Sequence, residues 1–236
     1  MRSYGEYCAI ARSLDVVGDR WTLLIVRELA LRGACRYTDI RSGLPGIASN
    51  LLADRLRELE RAGVVAREDA PPPIATTLFS LTPRGEQLRA VLDDLTRWGL
   101  PLMRQPKDGD VVQSRWLSSA LEMMLADGAP GAPGAPPVTL ELRTGDQPIL
   151  IEARDGQVHT QLGAAGSADA TLSGAPTPIM GLLLGFLDLA GAEAKGVEFE
   201  GNPAALDRIR SAAAQGVPAE MTEPAVAGRD QPQPGR

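Results

Sequence analysis

The chain is poor in the residues that build metal and nucleophile chemistry: it has one histidine, His159, and two cysteines, Cys8 and Cys35. Two cysteines give neither a zinc-ligand spacing nor a disulfide framework, and a single histidine leaves no zinc cluster or catalytic triad to assemble. There is no glycine loop that cradles phosphates and no nucleophile-and-base signature, so neither an enzyme nor a cofactor is expected. Long apolar runs are missing too. The longest, Ile179 to Leu187, falls far short of the roughly 20 residues that cross a bilayer, and the N-terminus lacks the shape of a secretory leader. The expectation is a cytoplasmic protein without a membrane partner.

The length is enough for two domains, since 236 residues exceed the usual size of one and can bury a sizeable core. A net charge of −6 argues against indiscriminate nucleic-acid binding, yet that charge is unevenly placed. From Met1 to Arg104 there are 15 Lys or Arg against 13 Asp or Glu; from Gln105 onward there are 9 against 17. Only the first half tolerates a polyanion. At a net +2, its phosphate contacts must be few and local rather than a broad basic field.

Within that half, the stretch from Gly46 to Gly63 carries two faces. Leu52, Leu56 and Leu59 recur at helical spacing with Leu51 beside them, whereas Ser49, Asn50, Ala53, Asp54, Arg57 and Arg61 fall largely on the other side. A helix is predicted, entered through the turn at Pro45 and Gly46 and stopped by a left-handed Gly63. Small hydrogen-bonding residues at its start and arginines spaced four apart at its end suit a helix that enters a major groove. A solvated outer face is the alternative. Before it, Arg36 to Gly43 reads as a short helix capped by Thr38 and stopped by Gly43. After it, the strand-like runs Val64 to Glu68 and Thr77 to Leu81 flank a turn at Pro71 to Pro73. Helix, turn, helix and hairpin make a winged helix-turn-helix.

Upstream, Tyr7, Ile10, Ala11, Leu14 and Val17 predict a helix over Tyr4 to Val17, ended by Gly18. Asp19 is expected to cap a helix from Arg20 to Leu31 whose buried stripe is Trp21, Leu24, Ile25, Glu28 and Leu29, with Gly33 as its stop. Downstream, Thr82 caps and Pro83 opens a helix reaching Met103. Its Leu88, Val91, Leu92, Leu95, Trp98 and Leu102 form a stripe wide enough to need a partner, either the chain's own core or a second copy.

Cys8 followed by Ile10, LDVVGDRWTLLIVREL at Leu14 to Leu29, RYTDIRSGLPGI at Arg36 to Ile47, LLADRLRELERAGVV at Leu51 to Val65 and FSLTPRGEQL at Phe79 to Leu88 resemble the HxlR family of winged-helix transcription regulators. The resemblance implies a homodimer on a roughly palindromic operator, with dimer contacts from the N-terminal helix and the helix after the wing. In some such regulators a cysteine near the N-terminus senses oxidants or electrophiles, and Cys8 matches that position; a buried small hydrophobe is the other reading. Relatives commonly carry Ser then Pro where this chain has Ala48 then Ser49, which moves the expected helix start to Ser49 as cap. They also carry an arginine near the start of the recognition helix and another in the wing. Here Asn50 stands at the first, and Ala70 to Thr77 has no positive charge, which argues against insertion of the wing into the minor groove. Base reading on double-stranded DNA is therefore assigned to Ser49, Asn50, Ala53 and Arg57, and backbone contacts to Arg36, Thr38 and Arg41. For Arg41 and Arg61, plain solvation is the alternative. Asp54 either accepts from a cytosine amino group or pairs with a neighbouring arginine.

In the second half, Gln105 to Gly109 is loop-like, and Trp116, Leu117, Ala120, Leu121, Met124 and Leu125 mark a short amphipathic helix. Gly128 to Pro137 is a Pro/Gly/Ala-rich linker or a long loop. The period then changes to alternation: Val138, Leu140 and Leu142; Ile149, Ile151 and Ala153; Val158, Thr160 and Leu162; Ala170 and Leu172, with a hairpin turn at Asp155 and Gly156. One sheet with one buried face is expected. Thr177 and Pro178 cap and open a helix that is apolar nearly all round, which must be covered by the sheet on one side and by more protein or an apolar ligand on the other. A strand at Val197 to Glu200 and a helix from Asn202 and Pro203 through Gln215, with Leu206 and Ile209 inward, precede a disordered tail at Val217 to Arg236.

DATLSGAPTPIMGLLLG at Asp169 to Gly185 and KGVEFEGNPAALDRI at Lys195 to Ile209 resemble the sterol carrier protein type two-like fold. That resemblance implies an apolar tunnel for fatty acyl or other lipophilic molecules. Its lining is assigned to Met180, Leu183, Leu184, Phe186 and Leu187, with Trp116 and Leu117 if their helix docks there; a core filled by side chains is the alternative. The expected architecture is α+β: a winged helix-turn-helix domain for DNA binding and dimerisation over 1–104, and a sterol-carrier-like domain over 110–216 with a mainly antiparallel sheet covered by helices. The expected function is a dimeric repressor whose operator binding responds to a small lipophilic ligand. Two alternatives stand: switching through Cys8 with a structural second domain, or a lipid carrier.

Overall fold

Apolar residues three and four apart set the helices of the first half, and alternation sets the strands of the second. A computed structural model describes residues 3–71, 75–104, 109–126, 136–155 and 157–216, in two units, Met1–Trp98 and Gly99–Arg236. The first runs α1 (Ala9–Val17), α2 (Thr22–Arg32), β1 (Cys35–Arg36), α3 (Tyr37–Ser42), α4 (Ser49–Arg61), β2 (Val65–Asp69), β3 (Thr77–Leu81), α5 (Pro83–Glu86) and α6 (Leu88–Gly99). The three strands form an antiparallel sheet in the order β1-β3-β2. Ile25, Leu29, Ile40, Leu52, Leu56 and Leu59 make its core, so the leucine stripe of α4 faces inward as its spacing requires.

Several boundaries depart from expectation for local reasons. The first helix starts at Ala9, because Gly5 takes a positive φ of 70° and residues 3 and 4 turn back on α1. The Ser3 hydroxyl and the Tyr4 N–H both donate to Asp15, and these bonds hold that carboxyl below its usual pKa. Asp19 accepts from the Trp21 N–H at 3.1 Å in a turn ahead of α2, which itself opens at Thr22. The buried stripe of α2 is Thr22, Ile25, Val26, Glu28 and Leu29, which turns Leu24 outward. The strand β1 went unanticipated, since two residues are too few to show alternation. Thr82 does cap α5, accepting from Gly85 N–H at 3.0 Å. The helix expected to reach Met103 is interrupted at Gln87 and passes into a 3-10 turn over Leu100–Arg104, where Pro101 removes a donor and disfavours helix in the residue before it.

The second unit holds α7 (Ser114–Ala126), β4 (Val138–Arg143), β5 (Ile149–Arg154), β6 (Gln157–Leu162), β7 (Ala170–Ser173), α8 (Pro176–Leu183), α9 (Leu189–Glu193), β8 (Glu198–Gly201) and α10 (Pro203–Gly216). Its sheet order is β6-β5-β4-β7-β8, antiparallel except for the parallel pair β4 and β7. Leu140, Leu142, Ile149, Ile151, Ala153 and Leu172 present one apolar face, as their alternation predicts. The opposite face is also covered at one point. Glu141 is 3% exposed, accepting from Arg143 Nε at 2.7 Å and from Ala165 N–H at 2.9 Å. The Arg143 hydrogen bond is the main cause that lowers its pKa. Leu162, last on the edge strand β6, is exposed rather than buried.

The long apolar helix expected after Thr177 is two short ones. Ala175, extended, is the N-cap of α8 and Pro176 its first residue; Gly185 at φ 79° supplies the left-handed stop, and Asp188 caps α9 by accepting from Gly191 N–H. The guanidinium of Arg210 on α10 donates to the carbonyl oxygens of Leu182 and Leu187, satisfying groups the broken helix leaves open. Residues 72–74 of the wing, residues 105–108 of the expected loop, residues 128–135 of the Pro/Gly/Ala-rich segment with Asp127 before it, Gly156 of the hairpin turn and the expected tail 217–236 lie outside the described residues.

Candidate nucleic-acid interface

The turn between α3 and α4 is held from beneath by a buried carboxylate. Glu28 on α2 is fully buried and meets the guanidinium groups of Arg27 at 3.0 Å and Arg32 at 3.2 Å. Arg27 also reaches the Gly43 carbonyl oxygen, and Arg32 the Ser42 hydroxyl. Gly43 lies so close that a Cβ there would sit 1.9 Å from a Glu28 oxygen, so only glycine lets α3 end against α2. From the other side, the Tyr37 hydroxyl donates to the Ser49 carbonyl oxygen at 2.6 Å, tying the first residue of α3 to the first of α4.

The start of α3 differs from expectation. Arg36, extended, occupies the N-cap, and its N–H donates to the Asp39 carboxylate at 3.0 Å. Thr38 lies inside the first turn and points outward. An acid three residues after a cap is a legible signal that the reading of Thr38 as cap overlooked. Likewise Ala48, not Ser49, is the N-cap of α4, which leaves the Ser49 side chain unspent on capping.

All seven residues assigned to DNA lie on α3, its cap or α4. Arg36, Thr38 and Arg41 are exposed at the first helix; Ser49, Asn50 and Arg57 are exposed and Ala53 half-buried on the second. Leu52, Leu56 and Leu59 occupy the opposite side of α4 in the core, so the N-terminal turn and one flank of that helix are free. The arginines of α4 are not equivalent. Arg55 turns inward, paired with Glu58 at 2.6 Å and near Asp19 at 3.7 Å. Arg57 faces solvent paired with Asp54 at 2.5 Å.

The lipophile-lining set divides. Leu117 on α7, Met180 and Leu183 on α8 and Leu184 just after it belong to the core that packs on the sheet, with Leu187 against it. Trp116 is half-buried and Phe186 exposed. Leu182 and Leu183 are fully buried.

The two cysteines contrast. Cys8 is exposed at the N-cap of α1; Cys35 is buried in β1. Burial pushes the Cys35 thiol up to about 11, against a smaller opposing pull from Arg32.

A short helix, a tight turn, a second helix with a free polar face and an adjoining antiparallel hairpin define a winged helix-turn-helix transcription regulator. The HxlR-like helix-turn-helix family model matches residues 16–107. The uncharacterised HTH-type transcriptional regulator YvaP of Bacillus subtilis is 36% identical over 87 residues, covering 37% of this chain and 80% of that protein. The HTH-type transcriptional regulator YodB of the same organism is 33% identical over 86 residues, covering 36% and 76%. The chain belongs to the HxlR-like family, and its N-terminal unit is the family's DNA-binding module. Among solved structures, the reduced form of YodB matches at 30% identity with a TM-score of 0.36, covering 44% of this chain and all of that one.

Proposed function

We propose that the protein is a dimeric repressor that reads a roughly palindromic operator with Ser49, Asn50, Ala53 and Arg57, while Arg36, Thr38 and Arg41 position it on the phosphates. The observation that carries this is the free polar flank of α4 over a fully buried leucine stripe. Dimerisation is supported by apolar side chains left bare: Tyr7 just before α1, Ile10 and Leu14 on α1 and Val91, Leu95 and Trp98 on α6 are all exposed, and α6 buries no residue. A dimer bound across a promoter represses by occupancy alone. Fluorescence anisotropy on duplexes from the region upstream of its own gene tests the reading. Asn50→Ala is expected to weaken binding by about 10- to 100-fold, the range for one lost base contact, with the dimer intact; an unchanged affinity rejects the assignment.

The C-terminal unit is proposed as the responsive module, taking a small lipophilic molecule between α8 and the sheet in the manner of a sterol-carrier-like domain. In support, α8 is apolar on almost every side and Met180, Leu183, Leu184, Leu187 and Leu117 share one core. Since Leu182 and Leu183 are fully buried, an occupant must part α8 from the core it shares with the sheet, with Trp116 and Phe186 at the margin. Effector action requires that ligand favour one dimer geometry over another. Native mass spectrometry with extraction of apolar material tests this. A bound lipophile without any operator binding would instead favour a carrier.

A second reading is favoured by the exposed thiol of Cys8 at the helix N-cap beside the bare Tyr7 and Ile10. Oxidation there would alter the proposed dimer contact. Cys8→Ser abolishes any diamide-induced release of DNA if this is the switch.

A further inference from the structure

We infer that Asp54 sets the sequence specificity of α4 by holding the Arg57 guanidinium for a base edge and denying it to phosphate. This rests on the DNA-reading role proposed for α4. Both side chains are open to solvent, Asp54 at 56% and Arg57 at 61%, and they meet at 2.5 Å one turn apart. The N-terminal half has a net charge of only +2, so each cation on the reading face counts.

An exposed arginine on a recognition helix has two uses. A phosphate contact adds affinity for every sequence alike, while a bidentate contact to guanine O6 and N7 adds it for one base. A carboxylate on Nη1 decides between them. It neutralises the charge that phosphates attract, so a non-specific backbone contact gains little. It also fixes one edge of the planar fork and leaves the remaining N–H groups aligned for a single acceptor pair. Of the acids on α4, Glu58 pairs with Arg55 on the inward side, and Asp54 is the one paired with Arg57. Asp54 is thus a positioning residue for Arg57.

The test uses full-length protein and a randomised duplex library, with the wild type, Asp54→Ala, Asp54→Asn, Asp54→Glu and Arg57→Ala each selected and sequenced. The wild-type consensus and a scrambled duplex of equal composition are then titrated across salt concentrations. Asp54→Ala and Asp54→Asn should bind the scrambled duplex about tenfold tighter, with a salt slope steeper by roughly 0.9 per protomer for one extra phosphate contact. They should lose preference at the same base pair as Arg57→Ala, whereas Asp54→Glu, which preserves the pair, retains it. If Asp54→Ala keeps the wild-type salt slope and discrimination, the inference is overturned while operator reading by α4 stands. Loss of preference at a base pair that Arg57→Ala leaves untouched also overturns it, because Asp54 would then read a base itself. Failure of the wild type to enrich any sequence removes the DNA-reading role and this inference with it.

Discussion

Two apolar helices, α6 in the first unit and α8 in the second, meet opposite fates. Along α6, Val91, Leu95 and Trp98 stand in solvent, with Trp98 73% exposed, and only Leu88 and Leu92 lean on the core. Along α8, Ile179, Leu182 and Leu183 expose nothing. Hydropathy alone ranks α8 as the helix more in need of an outside partner, and the tertiary structure reverses that order. The chain itself covers α8, which packs against α9 and α10 and shares one core with the sheet and α7. Among the described residues, it leaves Val91, Leu95 and Trp98 of α6 uncovered. An apolar face asks for a partner only in proportion to the area its own chain leaves bare.

That contrast is broken most forcefully by Leu183→Ala. Removing a sealed leucine should cost about 3 kcal/mol of unfolding free energy, measured by urea titration, with no change in the protein concentration at which dimers form. A loss below about 1 kcal/mol would mean that the site is already loose and that the second unit holds space for a ligand. Trp98→Ala is expected to act the other way round. By analytical ultracentrifugation the dimer Kd should rise about 30-fold, close to 2 kcal/mol for an aromatic anchor, with unfolding of the second unit unaffected; an unaltered Kd would place the dimer contact elsewhere.

The smallest effect separates the two cysteines. At pH 8, iodoacetamide should modify Cys8 at least about tenfold faster than Cys35, read by peptide mass spectrometry, because the thiolate is the reactive form and burial keeps Cys35 protonated. The neutral buried thiol also favours the fold below about pH 9, and that contribution fades as pH rises toward about 11. Equal rates would mean that β1 opens readily.

Much of the DNA-binding unit was legible because its signals are local. The leucines of α4, the stop at Gly63 with φ 70° and the Thr82 cap each depend on a few neighbouring residues. The errors have equally local causes. Thr38 and Ser49 are good capping residues, yet Arg36 and Ala48 take the extended conformation, because the Asp39 carboxylate and the Tyr37 hydroxyl fix where α3 and α4 begin. The break between α8 and α9 was hidden by leucines on both sides of Gly185. Periodicity continues through a left-handed glycine as though the helix did.

The sequence by itself determined the element types, the inward face of α4, the alternating faces of β4 and β5 and the family, since each follows from residue spacing or ordered motifs. Only the tertiary structure decided that Glu28 is sealed beneath Gly43, that Asp54 holds Arg57 while Arg55 turns inward, and that α8 is covered while α6 is bare. These outcomes depend on which surfaces distant segments bring together, and spacing along one segment carries no information about what will lie across from it.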